Sequence, residues 1–578
     1  MNITGANLII KALKEEGVNT IFAYPGGQAI DMFDALYDED EIQVILGRHE
    51  QALIHAADGY ARSTGRVGVC MVTSGPGATN LVTGIANANY DSIPLVCLCG
   101  QVPTHLIGND AFQEVDIVGI SRSICKYAIT VLKRDSLAEV LKKAFYIAST
   151  GKPGVVVVDI PKDIQQALGS DVYPKDIELK SYKPNVDVHI GQIKKAINAL
   201  QHSKKPIVLV GGGVHISNAQ KELLEFIERT NIPFVTTMMG KGALATTHEL
   251  YFGNIGIHGT YAANKAIAEC DFIFSIGTRF NDRITGKVQD FAKQATIVHI
   301  DIDPASISRN VQVDIPIVAD AKYALTQCTQ RVQYTCNASW INEVKQWNTK
   351  RMYKSTTTGL HAKDIIDTLN TIFETAIYTT DVGQNQLWAT QLLELNENKR
   401  LITSGGLGTM GFGLPSAIGA KIGNPDIDVI SINGDGGIQM NIQDLATAVV
   451  YELPIIICIL NNGYLGNVRQ WQELFYDKRY SYTCLRYRLS CKTRCHQPNS
   501  TCPTYTPDFI KLAQSYGAQA IRVSEVHEIA IAIEKARLQK HIPTVIEFII
   551  QRESNVFPMV IPGKSIGHMM VEDDEVKG

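Results

Sequence analysis

An excess of charge of either sign is almost missing from this sequence. Its 54 Lys and Arg stand against 58 Asp and Glu, for a formal net charge of −4, so it carries no electrostatic footprint for nucleic acid. No basic run is long or clustered enough to read as a membrane-surface anchor. No apolar run approaches the ~20 residues of a membrane span. The opening stretch MNITGANLIIKALKEEGVNTIFAYPGG has no basic segment followed by an apolar core, so a secretory signal is not expected. A cysteine framework is missing too. The twelve cysteines are mostly scattered in apolar contexts, as at Cys70, Cys97, Cys99 and Cys458, which points to buried reduced thiols in a reducing compartment. What remains is an ordinary globular composition, 45% hydrophobic and 19% charged, in 578 residues. That is enough chain for about three domains.

The pattern along the chain fits that number. Residues 1–165 alternate helical stretches with short β-branched runs such as VGVCMV, PLVCLCG and GVVVVDI, and end at the polar segment QQALGSDVYPKDIELKSYKPNVDV. A second α/β stretch, 190–335, has strands at KPIVLVGGG, FIFSIG and IVHIDID, and is followed by the polar QWNTKRMYKSTTTGLHAKD. A third runs over 361–578. The expectation is an α/β chain of three doubly wound parallel-sheet domains, with no internal sequence repeat strong enough to assign. One segment breaks the pattern: CLRYRLSCKTRCHQPNSTCPTY, about 484–505, is basic and Cys-rich. Cys491, Cys495, His496 and Cys502 are ligand types for zinc, but their spacing matches no zinc template, and the segment reads as a surface-loop insertion.

Chemistry concentrates in GDGGIQMNIQDLATAVVYELPIIICILNN, Gly434 to Asn462. The apolar DVISIN before it and the PIIICIL that closes it read as neighbouring parallel strands with a helix between. GDG and NN therefore sit at the carboxyl ends of adjacent strands, where open α/β sheets bind ligands. Asp435 offers a carboxylate there and Asn462 an amide carbonyl, hard oxygen donors of the kind that hold a divalent cation on a diphosphate.

This pairing, with 24 residues between GDG and NN, resembles the thiamine diphosphate motif. The resemblance implies Mg²⁺ held by Asp435, Asn462 and the backbone carbonyl of Tyr464, beside Gly436. RHEQALIHAADGYAR followed by TSGPGATN resembles the pyrimidine-binding domain of the same family. That implies Glu50 as the acid that hydrogen-bonds the aminopyrimidine ring and activates the cofactor by proton transfer. GGLGTMGFGLPSAIGA would set Met410 under the cofactor, a filling role that suits a flexible apolar side chain. TDVGQNQLWA would bring Gly383, Gln384 and Asn385 near the diphosphate, where backbone N–H groups cradle anions.

Over nearly the whole chain the resemblance narrows to the catalytic large subunit of the acetohydroxyacid (acetolactate) synthase family. AYPGGQAIDMFDAL, IGNDAFQEVDIVGISRSICK, GKPGVVVVDIPKDIQ, GTRFNDRITGK, HIDIDPASI and VRQWQELFY follow one another in that family's order. The implied roles put Gly27 near the cofactor and Phe112, Gln113 and Lys162 in the substrate pocket. Arg283 would hold the carboxylate of the second 2-keto acid, and Trp471 would shape the acceptor pocket. A central FAD-binding domain is implied too, with Lys152, Gly211, Gly212, His258, Gly277, Arg279, Asp301 and Asp320 as contacts, although VGGG at 210–213 is by itself an incomplete dinucleotide signal.

Four positions depart from the family pattern. Ile257 and Asn467 stand where Met is common, and Lys152 and His105 stand where Arg is common; Lys is no substitute for Arg at a planar contact. The resemblance implies decarboxylation of pyruvate and its carboligation to pyruvate or 2-ketobutyrate, with thiamine diphosphate, Mg²⁺ and a largely structural FAD. It also implies a homodimer or homotetramer with sites shared between chains, a possible small regulatory subunit, and a cytoplasmic location, or the stroma for a plastid-encoded chain. The alternatives are a pyruvate oxidase-like flavoenzyme, which Arg283 with Trp471 argues against, and an inactive regulatory homologue, which retention of Glu50, Asp435, Asn462 and Lys162 argues against. Glyoxylate carboligase fits less well, because that group lacks the acid kept here as Glu50.

Overall fold

A computed structural model describes residues 2–184, 187–349, 359–489, 491, 495, 502–503 and 505–571. Three six-stranded sheets organise them. The first is built from β1 (Thr20–Ala23), β2 (Gln43–Leu46), β3 (Gly68–Val72), β4 (Leu95–Gln101), β5 (Tyr127–Thr130) and β6 (Val155–Pro161), in the spatial order β2-β1-β3-β4-β6-β5. Every pairing in it is parallel. Its central strands are the unbroken apolar runs of the sequence. Val155, Val156, Val157 and Val158 are all fully buried, as expected for strands covered by helices on both faces.

The middle sheet contains β7 (Pro206–Val210), β8 (Phe234–Thr236), β9 (Tyr251–Asn254), β10 (Phe272–Ile276), β11 (Thr296–Asp301) and β12 (Ile315–Val318), in the order β9-β8-β7-β10-β11-β12. The strand order reverses between β7 and β10, which makes a crevice at their carboxyl ends. The third sheet contains β13 (Ala376–Thr380), β14 (Lys399–Ile402), β15 (Val429–Gly434), β16 (Ile455–Asn461), β17 (Gln519–Val523) and β18 (Thr544–Ile549), in the order β14-β13-β15-β16-β18-β17. The first and third sheets thus share one topology, a repeat that leaves no readable trace in the sequence.

Those two sheets also share one hydrophobic core, which runs from Phe22 and Ile54 to Ile457 and Val545, whereas the middle sheet has its own. The joint is a pair of helices, α1 (Glu50–Thr64) and α3 (Gly413–Gly423), with α2 (Gln384–Leu392) between them in sequence. α1 starts where the His49 ring accepts from Gln51 N at 3.2 Å and stops at Gly65, whose φ of +74° is left-handed. α1 and α3 meet backbone to backbone. A Cβ on Gly59 would lie 2.1 Å from the Ser416 carbonyl, and one on Gly419 only 1.7 Å from that of Ala56. The cysteines expected to be inert are so placed: Cys70, Cys97, Cys99 and Cys458 are buried free thiols, and burial pushes Cys458 up to about 12.

Candidate active site at the carboxyl edges of the sheets

The GDG turn leaves β15 and the NN pair ends β16, with Gly434 in register with Leu460. Between the strands run two 3-10 turns and the short helix Leu445–Val450. Asp435 is 3% exposed, and its Oδ2 accepts from the neutral Gly463 N at 3.1 Å. Burial pushes its carboxyl up to about 7, with backbone N–H groups pulling the other way. A buried carboxylate answered by neutral donors is a fitting ligand for a hard cation. Asn462 Oδ1 accepts from Tyr464 N at 3.0 Å, while its Nδ2 donates to Gln384 Oε1 at 3.2 Å. That bond ties the NN pair to the start of α2. Tyr464 is itself buried between guanidinium groups, Arg552 at 4.9 Å and Arg469 at 5.9 Å from its ring centroid.

Two more pieces close this edge. Gly383, before α2, has φ +145° and ψ −160°, a conformation that glycine alone adopts freely. Asn385 Nδ2 donates to the Asp381 and Ile432 carbonyls, at 2.9 Å each, so it braces β13 against β15. Met410 comes beside the GDG turn, for a Cβ on Gly436 would be 3.6 Å from its Cε. The loop that carries Met410 is clamped by Asp381, whose carboxylate accepts from Val382 N at 2.8 Å, Gly411 N at 2.9 Å and Gly413 N at 3.2 Å. Burial raises Asp381 to about 6 against those bonds. Asp381 stands at the end of β13, so the rule that ligands gather at strand ends was a signal available for it.

The first sheet has a matching edge. Glu50 opens α1 after β2, and its Oε2 accepts from Asn80 Nδ2 at 2.8 Å. Its Oε1 faces Gly77, where a Cβ would come within 3.5 Å. Lys162, just past β6, donates to the Gly27 carbonyl at 3.0 Å. Gln113 has a left-handed φ of +61° and presses on Gly75, where a Cβ would meet its carbonyl at 2.8 Å. Phe112, beside it, is 83% exposed. Glu50, Gly27, Gln113 and Lys162 therefore crowd one rim of one sheet.

Between all three sheets lies a cavity of about 1370 Å³. Gly212, His258, Gly277, Arg279, Asp301, Asp320 and Lys152 line it, and so do Arg283 and Trp471. Gly211 supports the crevice from behind, because a Cβ there would strike the Gly277 carbonyl at 2.1 Å. Burial pushes Asp301 up to about 6 and His258 down to about 4. Lys152 pairs with Asp303 at 3.1 Å, and Asp320 caps the helix after β12 by accepting from Lys322 N. Trp471 lies on α4 (Gly466–Phe475), edge-on to Phe475 at 5.9 Å. The Arg283 side chain is 63% exposed and its nearest acid, Asp282, is 3.4 Å away.

The hub of this cavity escaped sequence reading. Asp91 Oδ2 accepts from Arg62 Nη2 and from Gly405 N, at 3.1 Å each, and its Oδ1 faces Arg279 Nη2 at 3.4 Å. One carboxylate thereby ties the first, third and middle domains together. Arg62 is also held by Asp58 at 2.5 Å. Asp58 and Arg62 lie four apart on α1, but no spacing links that pair to Asp91, Gly405 or Arg279, so no sequence signal points to the hub. In the Cys-rich segment, Cys484 forms a β-bridge with Tyr464, just past the NN pair. His496 lies outside the described residues, and among those described no cluster of three His, Cys, Asp or Glu side chains is placed to hold a metal. Also among the described residues, no helix is long and apolar enough to cross a membrane.

Comparison with known proteins covers all three sheets. Residues 3–120 match the thiamine pyrophosphate enzyme N-terminal TPP binding domain, 193–328 the central domain and 381–548 the C-terminal TPP binding domain. The chain is 45% identical to the probable acetolactate synthase large subunit of Methanococcus aeolicus, over 98% of this chain and 95% of that protein. It is 46% identical to the protein of that description in Methanocaldococcus jannaschii, over 97% of this chain and 94% of the relative. It is 42% identical to the acetolactate synthase isozyme 3 large subunit of Escherichia coli, over 99% of each.

Proposed function

The chain belongs to the thiamine pyrophosphate enzymes, among the acetolactate synthase large subunits, and from that premise we propose how its residues divide the work. The reaction joins pyruvate, after loss of CO₂, to a second 2-keto acid and feeds branched-chain amino acid synthesis. The observation that carries the reading is buried Asp435 beside Asn462 at neighbouring strand ends, answered by a neutral donor.

Asp435, Asn462 and the Tyr464 carbonyl would hold Mg²⁺, with Gly383, Gln384, Asn385, Gly436 and Met410 around the cofactor. Thiamine diphosphate, when bound, supplies the electron sink for decarboxylation. Glu50 holds and moves a proton at the aminopyrimidine ring. It is half-buried, with Asn80 Nδ2 donating to it. Gly27, Gln113 and Lys162 form the donor-side wall. Arg283, with its guanidinium open to the cavity, binds the carboxylate of the second keto acid, and Trp471 packs on that acid's side chain. Both walls must keep water from the two-carbon unit, since protonation there would release acetaldehyde.

The proposal includes a homodimer in which each metal edge faces the Glu50 rim of the partner subunit; within its own chain Glu50 accepts from Asn80. A flavin in the central cavity is the finer part of the proposal. Its support is the reversal between β7 and β10, an order typical of dinucleotide-binding sheets. Gly212, Gly277, Arg279, Lys152, His258, Asp301 and Asp320 line that space, with Gly211 packed behind it. The test is acetolactate formation from pyruvate by the purified chain with thiamine diphosphate, Mg²⁺ and FAD, with peroxide and acetaldehyde followed alongside. Acetolactate as the main product, lost in Glu50→Ala, supports the assignment. Peroxide as the main product would favour the oxidase reading instead.

A further inference from the structure

We propose that Asp444 is a positioning residue for Glu50: its carboxylate holds the turn from which the activating acid is aimed. The inference rests on the proton-transfer role given to Glu50 above. Glu50 opens α1, and Gly59, where α1 is pressed against α3, lies roughly 13 Å further along the helix axis. That packing fixes the body of α1 and leaves the approach to its first turn to be fixed from elsewhere.

Asp444 stands at the head of the short helix Leu445–Val450, between GDG and NN, and is 2% exposed. An Asp at that position ordinarily caps its own helix, but this one makes no side-chain cap bond. Its Oδ1 instead accepts from Arg48 N at 2.9 Å, in the turn just ahead of Glu50. Gly47 is wedged in the same turn: a Cβ on it would lie 2.5 Å from Leu53 Cδ2 of α1 and 3.2 Å from Asp444 Oδ1. Two neighbours on one face of the helix complete the contact, since positions i, i+3 and i+7 share a face. Thr447 Oγ1 donates to Asp444 Oδ1 at 3.0 Å. Tyr451 OH accepts from Leu46 N at 2.7 Å and donates to the Val44 carbonyl at 2.9 Å. β2 is an edge strand, and an edge leaves backbone groups unpaired. Tyr451 answers two of those groups and Asp444 takes the N–H just beyond them. Among the described residues Asp444 Oδ2 has no hydrogen-bond partner, so the carboxylate's bonds to Arg48 and Thr447 both lie on Oδ1. A segment of the third domain thus holds the strand end and turn that lead into Glu50. An acid that moves a proton must sit within hydrogen-bond reach of it, and a misplacement of about 1 Å costs roughly a hundredfold in rate.

Two measurements test the assignment. In the cofactor-free protein, Asp444→Ala is expected to speed deuterium exchange at the Arg48 amide about tenfold, the worth of one lost hydrogen bond. In the holoenzyme, Asp444→Ala is expected to slow exchange of the C2 proton of bound thiamine diphosphate into D₂O by about tenfold. Asp444→Asn keeps an oxygen acceptor for Arg48 N without the charge and is expected to restore both rates. Unchanged Arg48 exchange in Asp444→Ala overturns the proposal, and so does unchanged C2 exchange. Failure of Asp444→Asn to restore either rate overturns it as well, because charge rather than the bond would then be at work. A fall in Mg²⁺ affinity that matches the fall in C2 exchange places the effect at the metal edge and has the same consequence. Should Asp444→Ala fail to fold, Tyr451→Phe decides: slower C2 exchange is expected, and a wild-type rate overturns the proposal. C2 exchange as fast in Glu50→Ala as in the wild type would instead sink the role given to Glu50, and the positioning role with it.

Discussion

Gly419→Ala sets two effects of opposite sign against each other. Gly419 lies inside α3, where alanine is the better helix former by about 1 kcal/mol. On propensity alone the variant is more stable. The structure says otherwise, because the new Cβ would sit 1.7 Å from the Ala56 carbonyl oxygen and 2.6 Å from its carbon. Neither obstacle is a flexible side-chain tip, so α1 and α3 must part by more than an ångström to reach van der Waals distance. Gly59, packed on the Ser416 carbonyl at 2.1 Å for the same ideal Cβ, would lose its close contact as well. Overpacking of this kind costs about 3 kcal/mol, which leaves a net destabilisation of about 2 kcal/mol after the propensity gain. In a domain of this size that lowers the melting temperature by roughly 4–8 °C. Because α1 opens with Glu50, activity should fall with it. Differential scanning calorimetry of the two proteins, with several scan rates to expose irreversibility, measures the shift. A Gly419→Ala protein that melts at or above the wild type would refute backbone-to-backbone packing of this helix pair.

Three further outcomes follow from the geometry. Asp435→Asn keeps an acceptor for Gly463 N but removes the charge, so Mg²⁺-dependent cofactor binding, read by tryptophan fluorescence titration, should weaken at least tenfold; unchanged Mg²⁺ dependence would remove Asp435 from the metal site. Asp91→Asn leaves the Arg62 guanidinium with less compensation, and breaking a buried pair costs about 3–5 kcal/mol, so calorimetry should show a lower melting temperature with the domains melting less cooperatively. Asp159, 2% exposed with Oδ1 unpartnered, is pushed up to about 7 by burial. A carboxyl raised on folding binds more protons in the native state than in the unfolded one, so its contribution is present below about pH 4 and is lost as the pH rises toward 7. Asp159→Asn should therefore gain melting temperature relative to wild type at pH 8 and little at pH 5; the reverse order would refute the sign.

The reach of the sequence can be judged residue by residue. Asp435 and Asn462 were legible because strand ends are marked by apolar runs, and a short crossover between neighbouring strands leaves few places for the two donors to go. Glu50 was legible by resemblance, and its position at the start of α1 after β2 follows from the strand–helix boundary. Asp381 had a strand-end signal that was passed over. The matched topology of the first and third sheets had none, since strand order depends on which runs pair across the chain.

The sequence by itself determined the three parallel-sheet units and the place of Asp435 and Asn462 at neighbouring strand ends, because both are written in local periodicity; the reaction family was legible by resemblance. Only the tertiary structure decided that Asp91 joins three domains, that Gly59 and Gly419 bring two helices into backbone contact, and that Trp471 and Arg283 line one cavity. Those relations join residues up to hundreds of positions apart. They arise from packing between separately formed units, where close approach and charge pairing are settled by shape and burial rather than by the order of the chain.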